Sequence, residues 1–365
     1  MQRLGRSLTN CLTLVAALPV LFGLFSFGPH SAQASPLSPG WPDSMASTGD
    51  SITRAYNTGS VAFTDAPANS WSTGDNLSVI SHYSRILAVH PGINGRNYND
   101  AVTAAKMVGL KSQILNVNAQ HVDYVTVLLG ANDACAATEA QMTPVDNFRA
   151  QFQAALAALS AGSPDARVYV MSVPNIYNLW NILHNTFSAR TTWSLFGICQ
   201  SMLANASSTA QADVDRRNRV NQRVVDYNTQ LAAVCAAYIR CRFDNNAVFN
   251  TVFVPADVST RDYFHPSLTG QAKIAATSYA AGFDFTDATP PVSQALSPQW
   301  PPRTVVISAT DNAGVAGIEY RVDNGPVTRY VGPSITIEPG SVVLYHAIDV
   351  NGNAEAWHSI GSSNP

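Results

Sequence analysis

Tyr124-Val125-Thr126-Val127-Leu128-Leu129 is a near-continuous apolar run that stops at Gly130-Ala131-Asn132-Asp133. Such a run fits a strand buried on both faces, as in a parallel sheet covered by helices. Downstream, Thr143-Pro144-Val145-Asp146 opens a helix, with Thr143 as N-cap, Pro144 at the first helical position and Asp146 near the positive end. Phe148, Phe152, Ala155, Leu156 and Leu159 form its apolar face, and Gly162 stops it. Arg167 to Val173 is a second buried-strand candidate, closed by Pro174. Upstream, the short segment Met45-Ala46-Ser47-Thr48 leads into Gly49-Asp50-Ser51, and a helix is expected from Ile52 to Tyr56. Thr58 to Asp75 reads as a surface excursion, Ser78 to Val89 as a short amphipathic helix, and Asn97 to Ala101 as a short strand.

Asp213 to Ile239 is the clearest helix. Val220, Val224, Tyr227, Leu231, Val234 and Tyr238 recur at alternating steps of four and three. Arg216, Arg217, Arg219 and Arg223 are expected on its solvated side. Ser267 caps a further helix, Leu268 to Ala281. Strands alternating with helices to this point indicate an α/β layer fold with a mostly parallel sheet. Ile176 to Cys199 breaks the alternation: Tyr177, Trp180, Phe187, Trp193 and Phe196 are dispersed among polar residues without a clean period. That stretch reads either as a core-packing excursion or as an apolar wall for an acyl chain.

After Gly282 the composition shifts. Thr289-Pro290-Pro291 and Pro298-Gln299-Trp300-Pro301-Pro302 mark a Pro-rich linker over 286–303. From Thr304 to the end at 365, short apolar runs are separated by turn signals such as Asp323-Asn324-Gly325 and Asn351-Gly352-Asn353. This predicts a second domain, a small antiparallel β-sandwich. Its two Asp-x-x-Gly segments, Asp311 to Gly314 and Asp349 to Gly352, read as tight turns in preference to a calcium loop.

Twenty-four acidic residues face 21 basic ones, and charged residues are only 12% of the chain, so nothing electrostatic points to nucleic acid as a partner. Arg3 and Arg6, the apolar run Leu12 to Phe27 and Ala32-Gln33-Ala34 read as a secretory signal over residues 1–34. Pro19 weighs against a membrane anchor. The hydrolase-sized domain then covers 35–285, in an oxidising, extracellular compartment. Without Cys11, four cysteines remain, allowing three pairings. Cys235 and Cys241 are close enough to staple a helix end to the next segment, which leaves Cys135 with Cys199. No CxxC or HExxH spacing exists, so neither a metal nor a cofactor is expected.

Ser51, Asn132, Asp262 and His265 stand at loop positions in different parts of the chain. Serine attack on an acyl carbon needs a base for its proton and a third group that fixes the base's tautomer. An imidazole suits the first role, which falls to His265. Asp262, three residues earlier in one turn, can reach its Nδ1. The Ser51 N–H and the Asn132 amide are donors for the oxyanion. His82, His90, His121, His184, His346 and His358 have no such context.

This combination resembles the SGNH (GDSL-type) hydrolase family over roughly residues 45 to 282. Gly49-Asp50-Ser51-Ile52 matches its first block, Gly130-Ala131-Asn132-Asp133 its third and Asp262-Tyr263-Phe264-His265-Pro266 its last. The resemblance implies a flavodoxin-like α/β/α sandwich and ester hydrolysis through an acyl-enzyme. Ser51 would be the nucleophile, His265 the base, Asp262 its orienter and Asn132 an oxyanion donor. The second block departs: where the family has glycine, Asn99-Asp100-Ala101-Val102-Thr103 is followed by Ala104, whose N–H would be the remaining oxyanion donor. The cysteines resemble those of secreted bacterial lipases of this family. The C-terminal domain resembles bacterial Ig-like modules, which implies contact with a surface or polymer.

The expectation is a secreted serine hydrolase of lipid or other small acyl esters, with Trp180, Phe187, Trp193 and Phe196 offered as pocket residues. A carbohydrate (acetyl) esterase is the runner-up. A binding protein on an inactive hydrolase scaffold is the reading from another class.

Overall fold

Five parallel strands carry the larger part of the chain: β1 (Met45–Gly49), β2 (Asn97–Asn99), β3 (Tyr124–Leu128), β4 (Arg167–Val170) and β5 (Cys241–Phe243). Their order is β2-β1-β3-β4-β5, the flavodoxin-like order of a doubly wound sheet. The structure, a computed structural model, describes residues 40–297 and 304–361. The expected signal segment and the 298–303 part of the expected linker lie outside these residues. Among the described residues no helix is long and apolar enough to cross a membrane.

The helices are α1 (His82–Val89), α2 (Leu110–Gln120), α3 (Ala131–Ala134), α4 (Val145–Gly162), α5 (Ile176–Leu183), α6 (Phe187–Leu195), α7 (Gln200–Leu203), α8 (Gln211–Cys235) and α9 (Leu268–Ala281). α4 packs between α2 and α8, with Phe148 stacked on Tyr227 at 4.1 Å. Its five apolar positions are all buried, each large one contributing roughly 1.5–3 kcal/mol. α1 and α9 meet over Tyr124 and Tyr169. His82 bridges Tyr124 Oη (3.0 Å) and Ser278 Oγ (2.8 Å), and Tyr169 Oη donates to the Ser278 carbonyl. Burial lowers the His82 imidazole to about 3, so this histidine is a neutral core bridge.

Several local expectations change. Residues 52–56 form successive turns in place of a helix, because Ala55 and Asn57 take φ of +51° and +67°. Thr143 does not cap α4; its hydroxyl donates to Asp133 Oδ1 at 2.7 Å, and Pro144 holds the cap position. Arg217 is buried instead of solvated, lying 4.3 Å over the Trp180 ring with Nη2 on the Ser208 carbonyl. Ser267 caps α9 as expected, accepting from Gly270 N. Cys135 pairs with Cys199, and Cys235 with Cys241.

The C-terminal part consists of antiparallel sheets: β6 (Val292–Leu296), β7 (Thr304–Thr310), β8 (Val315–Val322), β9 (Thr328–Arg329), β10 (Ile335–Thr336), β11 (Val342–Asp349) and β12 (His358–Gly361). They run β10-β7-β6 and β12-β11-β8-β9 around Val305, Ile307, Ile318, Val343 and Tyr345. Residues 292–296, inside the expected linker, form a strand paired with β7. The Asp-x-x-Gly segments are turns: Asp311 accepts from Ala313 N and Gly314 N, and Asp349 from Asn351 N and Asn353 N. Asp287, Asp311 and Asp349 have carboxylate oxygens within 4.8 Å of one another.

These sheets join the larger part at the amino ends of its strands. Arg240, just before β5, pairs with Glu319 at 3.5 Å and Asp165 at 3.7 Å. Arg329 donates to the Ala236 carbonyl at 2.8 Å, and Asn351 accepts from Asp284 N at 3.0 Å.

Candidate active site

In a 2-1-3 strand order the connections leave β1 and β3 in opposite directions, opening a crevice at their carboxyl ends. Gly49 and Leu128 pair in register as those strands end, so Ser51 and Asn132 emerge on either side of that crevice. Both turns need glycine. At Gly49 (φ +151°) a Cβ would stand 2.4 Å from the Leu128 carbonyl oxygen, and at Gly130 (φ +135°) 2.6 Å from Val173 Cγ2.

The turn after β1, which carries Ser51, is held by neutral amides. Gln113 clamps Gly49 from both sides, accepting from its N–H at 2.8 Å and donating to its carbonyl at 2.9 Å. Gln271 Nε2 donates to the Ile52 carbonyl at 2.8 Å, and Asn99 Nδ2 to the Thr53 carbonyl at 3.0 Å. Neither glutamine was singled out from the sequence.

Ser51 Oγ lies 2.8 Å from His265 Nε2, and His265 Nδ1 lies 2.7 Å from Asp262 Oδ2. Asp262 Oδ1 accepts from Phe264 N (2.9 Å) and His265 N (3.0 Å), so the carboxylate and the imidazole belong to one self-bonded turn. Burial pushes the Asp262 carboxyl up, but the bond from His265, that ring's charge and the two N–H groups outweigh it and leave the carboxyl below its ordinary range. Tyr56 and Phe264 flank the imidazole at 4.8 and 5.2 Å between ring centres. Trp193 Nε1 donates to the Tyr263 carbonyl at 2.9 Å and braces the turn from behind.

Asn132 Nδ2 donates to the Ala105 carbonyl at 3.0 Å, which draws the Ala104 loop to Asn132 and leaves the amide a second hydrogen. The N–H groups of Ser51 and Ala104 have no acceptor among the described residues. Ala104 sits at φ +65°, the left-handed region glycine favours, at a cost of about 1–2 kcal/mol to alanine. Cys135–Cys199 ties the end of α3, which carries Asn132, to the start of α7.

Asp50 is fully enclosed beside Ser51. Its Oδ1 accepts from Ile52 N at 2.9 Å, and its Oδ2 has no partner among the described residues. Burial, with Asp133 adding, pushes this carboxyl up to about 7 against the Ile52 bond and the His265 charge.

An apolar pocket runs beside the site. Its walls include the chain neighbours of the key residues, Ile52, Ala131, Phe264 and Pro266, together with Ile176, Leu179, Phe253, Val258 and Ile274, and the polar Asn175 and Asp257 also line it. None of the four expected aromatics lines this pocket. Trp193 is buried behind the His265 turn, and Trp180 lies under Arg217 with Nε1 on the Ala206 carbonyl. Phe187 and Phe196 are exposed, Phe196 lying 6.3 Å from Phe63.

No curated protein matches the chain. Similar solved structures include an alpha/beta hydrolase enzyme from the metagenome of Lake Arreo, Spain, with 15% identity and a TM-score of 0.42 over 67% of this chain and 97% of that one. Another is a protein described as a GDSL-like lipase from Parabacteroides merdae, with 14% identity and a TM-score of 0.37 over 68% and 98%. A third is a two-domain esterase active on acetylated mannans, with 12% identity and a TM-score of 0.31 over 88% and 87%. Residues 47–277, which hold both the Ser51 turn and the Asp262–His265 turn, match the GDSL-like Lipase/Acylhydrolase family, and the chain belongs to that family.

Proposed function

We propose that this ester hydrolase works through Ser51 and acts on acyl esters whose acyl part is apolar. The observation that carries the reading is the unbroken Ser51–His265–Asp262 hydrogen-bond chain, at 2.8 and 2.7 Å, together with N–H groups at Ser51 and Ala104 that have no acceptor among the described residues. Ser51 Oγ attacks the acyl carbonyl as its proton passes to His265 Nε2, and Asp262 holds the imidazolium in place. The oxyanion collects hydrogen bonds from the N–H groups of Ser51 and Ala104 and the Asn132 amide. The imidazolium protonates the leaving alcohol. Water, deprotonated by the same imidazole, then releases the acid from Ser51. The apolar pocket beside Ile52 and Phe264 supports acyl-chain recognition.

Two disulfides and the basic-apolar-small leader support secretion after cleavage near Ser35. The C-terminal sheets, docked at the far end of the strands, fit an Ig-like module that touches a surface or polymer and supplies no catalytic group.

The test combines a fluorophosphonate probe with a chain-length series of p-nitrophenyl esters. Wild-type protein is expected to label and to hydrolyse the butyrate, and Ser51→Ala to lose labelling and at least about 10⁴-fold in kcat. An unlabelled wild-type protein would sink the reading. Strict preference for acetyl groups, with turnover of acetylated xylan, would replace the apolar acyl chain with a carbohydrate acetyl ester.

A further inference from the structure

The hydrogen-bond chain does not end at Asp262. Asn57 Nδ2 donates to Asp262 Oδ2 at 2.5 Å, the same oxygen that meets His265 Nδ1. Asn57 Oδ1 accepts from Phe63 N at 2.6 Å. The orientation of this amide is unambiguous: a carboxylate can only accept and a backbone N–H can only donate, so each end faces its one compatible partner. Asn57 is 4% exposed, and its φ of +67° is one that asparagine tolerates better than most residues. The loop it begins is closed by Asn57 N on the Thr64 carbonyl, and Arg261 Nη1 donates to the carbonyls of Asn57 and Val61.

We propose that Asn57 is a positioning residue for hydrolysis, its amide locking the Asp262 carboxylate so that Oδ2 faces the imidazole in one orientation. The proposal rests on the reading of Ser51, His265 and Asp262 as the reacting triad. With Asn57 in place, Oδ1 holds two N–H groups and Oδ2 holds the imidazole and the amide, so the carboxylate has a partner on every side. Without the amide, Oδ2 keeps a single donor, and the carboxylate can turn about its broad terminal torsion. The base would then sample orientations in which Nε2 no longer faces Ser51. Asn57 lies 205 positions from Asp262 and six from Ser51 in sequence, so one short turn carries both the nucleophile and the group that orients the orienter.

Asn57→Gly and Asn57→Asp separate positioning from loop structure. Glycine accepts φ +67° without strain but removes both amide bonds. Aspartate keeps an acceptor for Phe63 N and replaces the donor facing Asp262 with negative charge. The other ionisable groups facing this cluster are Asp50, Tyr56, Asp65 and Arg261. All are unchanged in both variants. In both, kcat at pH 8 is expected to fall about 10- to 100-fold with KM within about twofold of wild type. In Asn57→Asp, the acid limb of the kcat/KM profile is also expected to move to higher pH, because a second carboxylate favours the imidazolium. Rates are normalised to folded protein by a thermal melt. Wild-type kcat in either variant overturns the proposal. So does a loss of kcat in both with the acid limb of Asn57→Asp unmoved, which marks a purely structural role. A wild-type protein that the fluorophosphonate does not label defeats the triad reading itself and is recognisable before any variant is made.

Discussion

At the carboxyl edge of the parallel sheet the turn after β1 is fastened mainly by a glycine and neutral amides, with the Arg54–Asp65 pair and Arg261 holding the loop beyond it; at the amino edge the fastening is by ions. Gln113, Gln271, Asn99 and Asn57 fix the turn after β1 and the Asp262 carboxylate without adding a charge of their own. At the other end, Arg240 meets Asp165 and Glu319, and Glu319 in turn meets His346 at 3.0 Å. The difference follows from what each edge does. A fixed charge a few ångströms from an imidazole displaces its proton equilibrium, whereas an amide orients without doing so. The proton transfer proposed above lies at the carboxyl edge, so on that reading ion pairs at the amino edge leave the chemistry untouched.

The contrast can be broken by three measurements. The largest effect is expected for Asn132→Ala, which removes a proposed oxyanion donor and should lower kcat about 10²–10³-fold, while the lost bond to the Ala105 carbonyl lowers stability by only about 1 kcal/mol. A larger loss of stability would mean that the carboxyl edge also bears structural load. Arg240→Ala addresses the opposite edge: denaturant unfolding should show a loss of about 2 kcal/mol, since Glu319 and Asp165 lose a largely buried partner, with kcat unchanged. A fall in kcat there would show that the two edges are coupled.

Asp50→Asn differs from the other two in that its effect turns on pH, because Asp50 is a carboxyl among amides. Its carboxyl is raised to about 7 by burial, so between about pH 4 and 7 the folded protein keeps a proton that the unfolded chain releases. That contribution to stability is whole at low pH and lost as pH rises through the folded value. Asparagine is neutral throughout and retains an acceptor for Ile52 N. The variant should match wild type near pH 4 and exceed it by up to about 4 kcal/mol at pH 8, about three pH units at about 1.4 kcal/mol each, read from urea unfolding at the two pH values. Equal stability at pH 8 would show that Asp50 ionises without penalty.

Much of the candidate site's geometry was legible because it is local. The apolar run at Tyr124 to Leu129, the face of α4 and the Asp262–His265 turn are each written within a few neighbouring residues. Family blocks then placed Ser51, Asn132 and Ala104 on common ground. The amide clamps were not legible, since Gln113 and Gln271 meet partners 64 and 219 positions away and a glutamine has no periodicity to betray it. Arg217 looked solvated because its charge was visible and the Trp180 ring beneath it was not. The helix expected at Ile52 to Tyr56 failed for a similar reason: the chain turns left-handed at Ala55 and Asn57, and the partner that holds Asn57 there, Asp262, lies 205 positions away. The pocket was sought among the largest aromatics, yet the walls beside the site are mainly aliphatic, with Phe253 and Phe264.

Ala104 gives the proposed oxyanion site a mechanical property that glycine would not. Glycine visits a broad region at positive φ, so its N–H can swing over a wide arc. The left-handed well open to a residue with a Cβ is small. Alanine therefore sits higher in energy at φ +65° but on steeper walls, and the direction of its N–H wanders less. The position exchanges depth for stiffness, and a donor aimed at a short-lived charge gains from the stiffness.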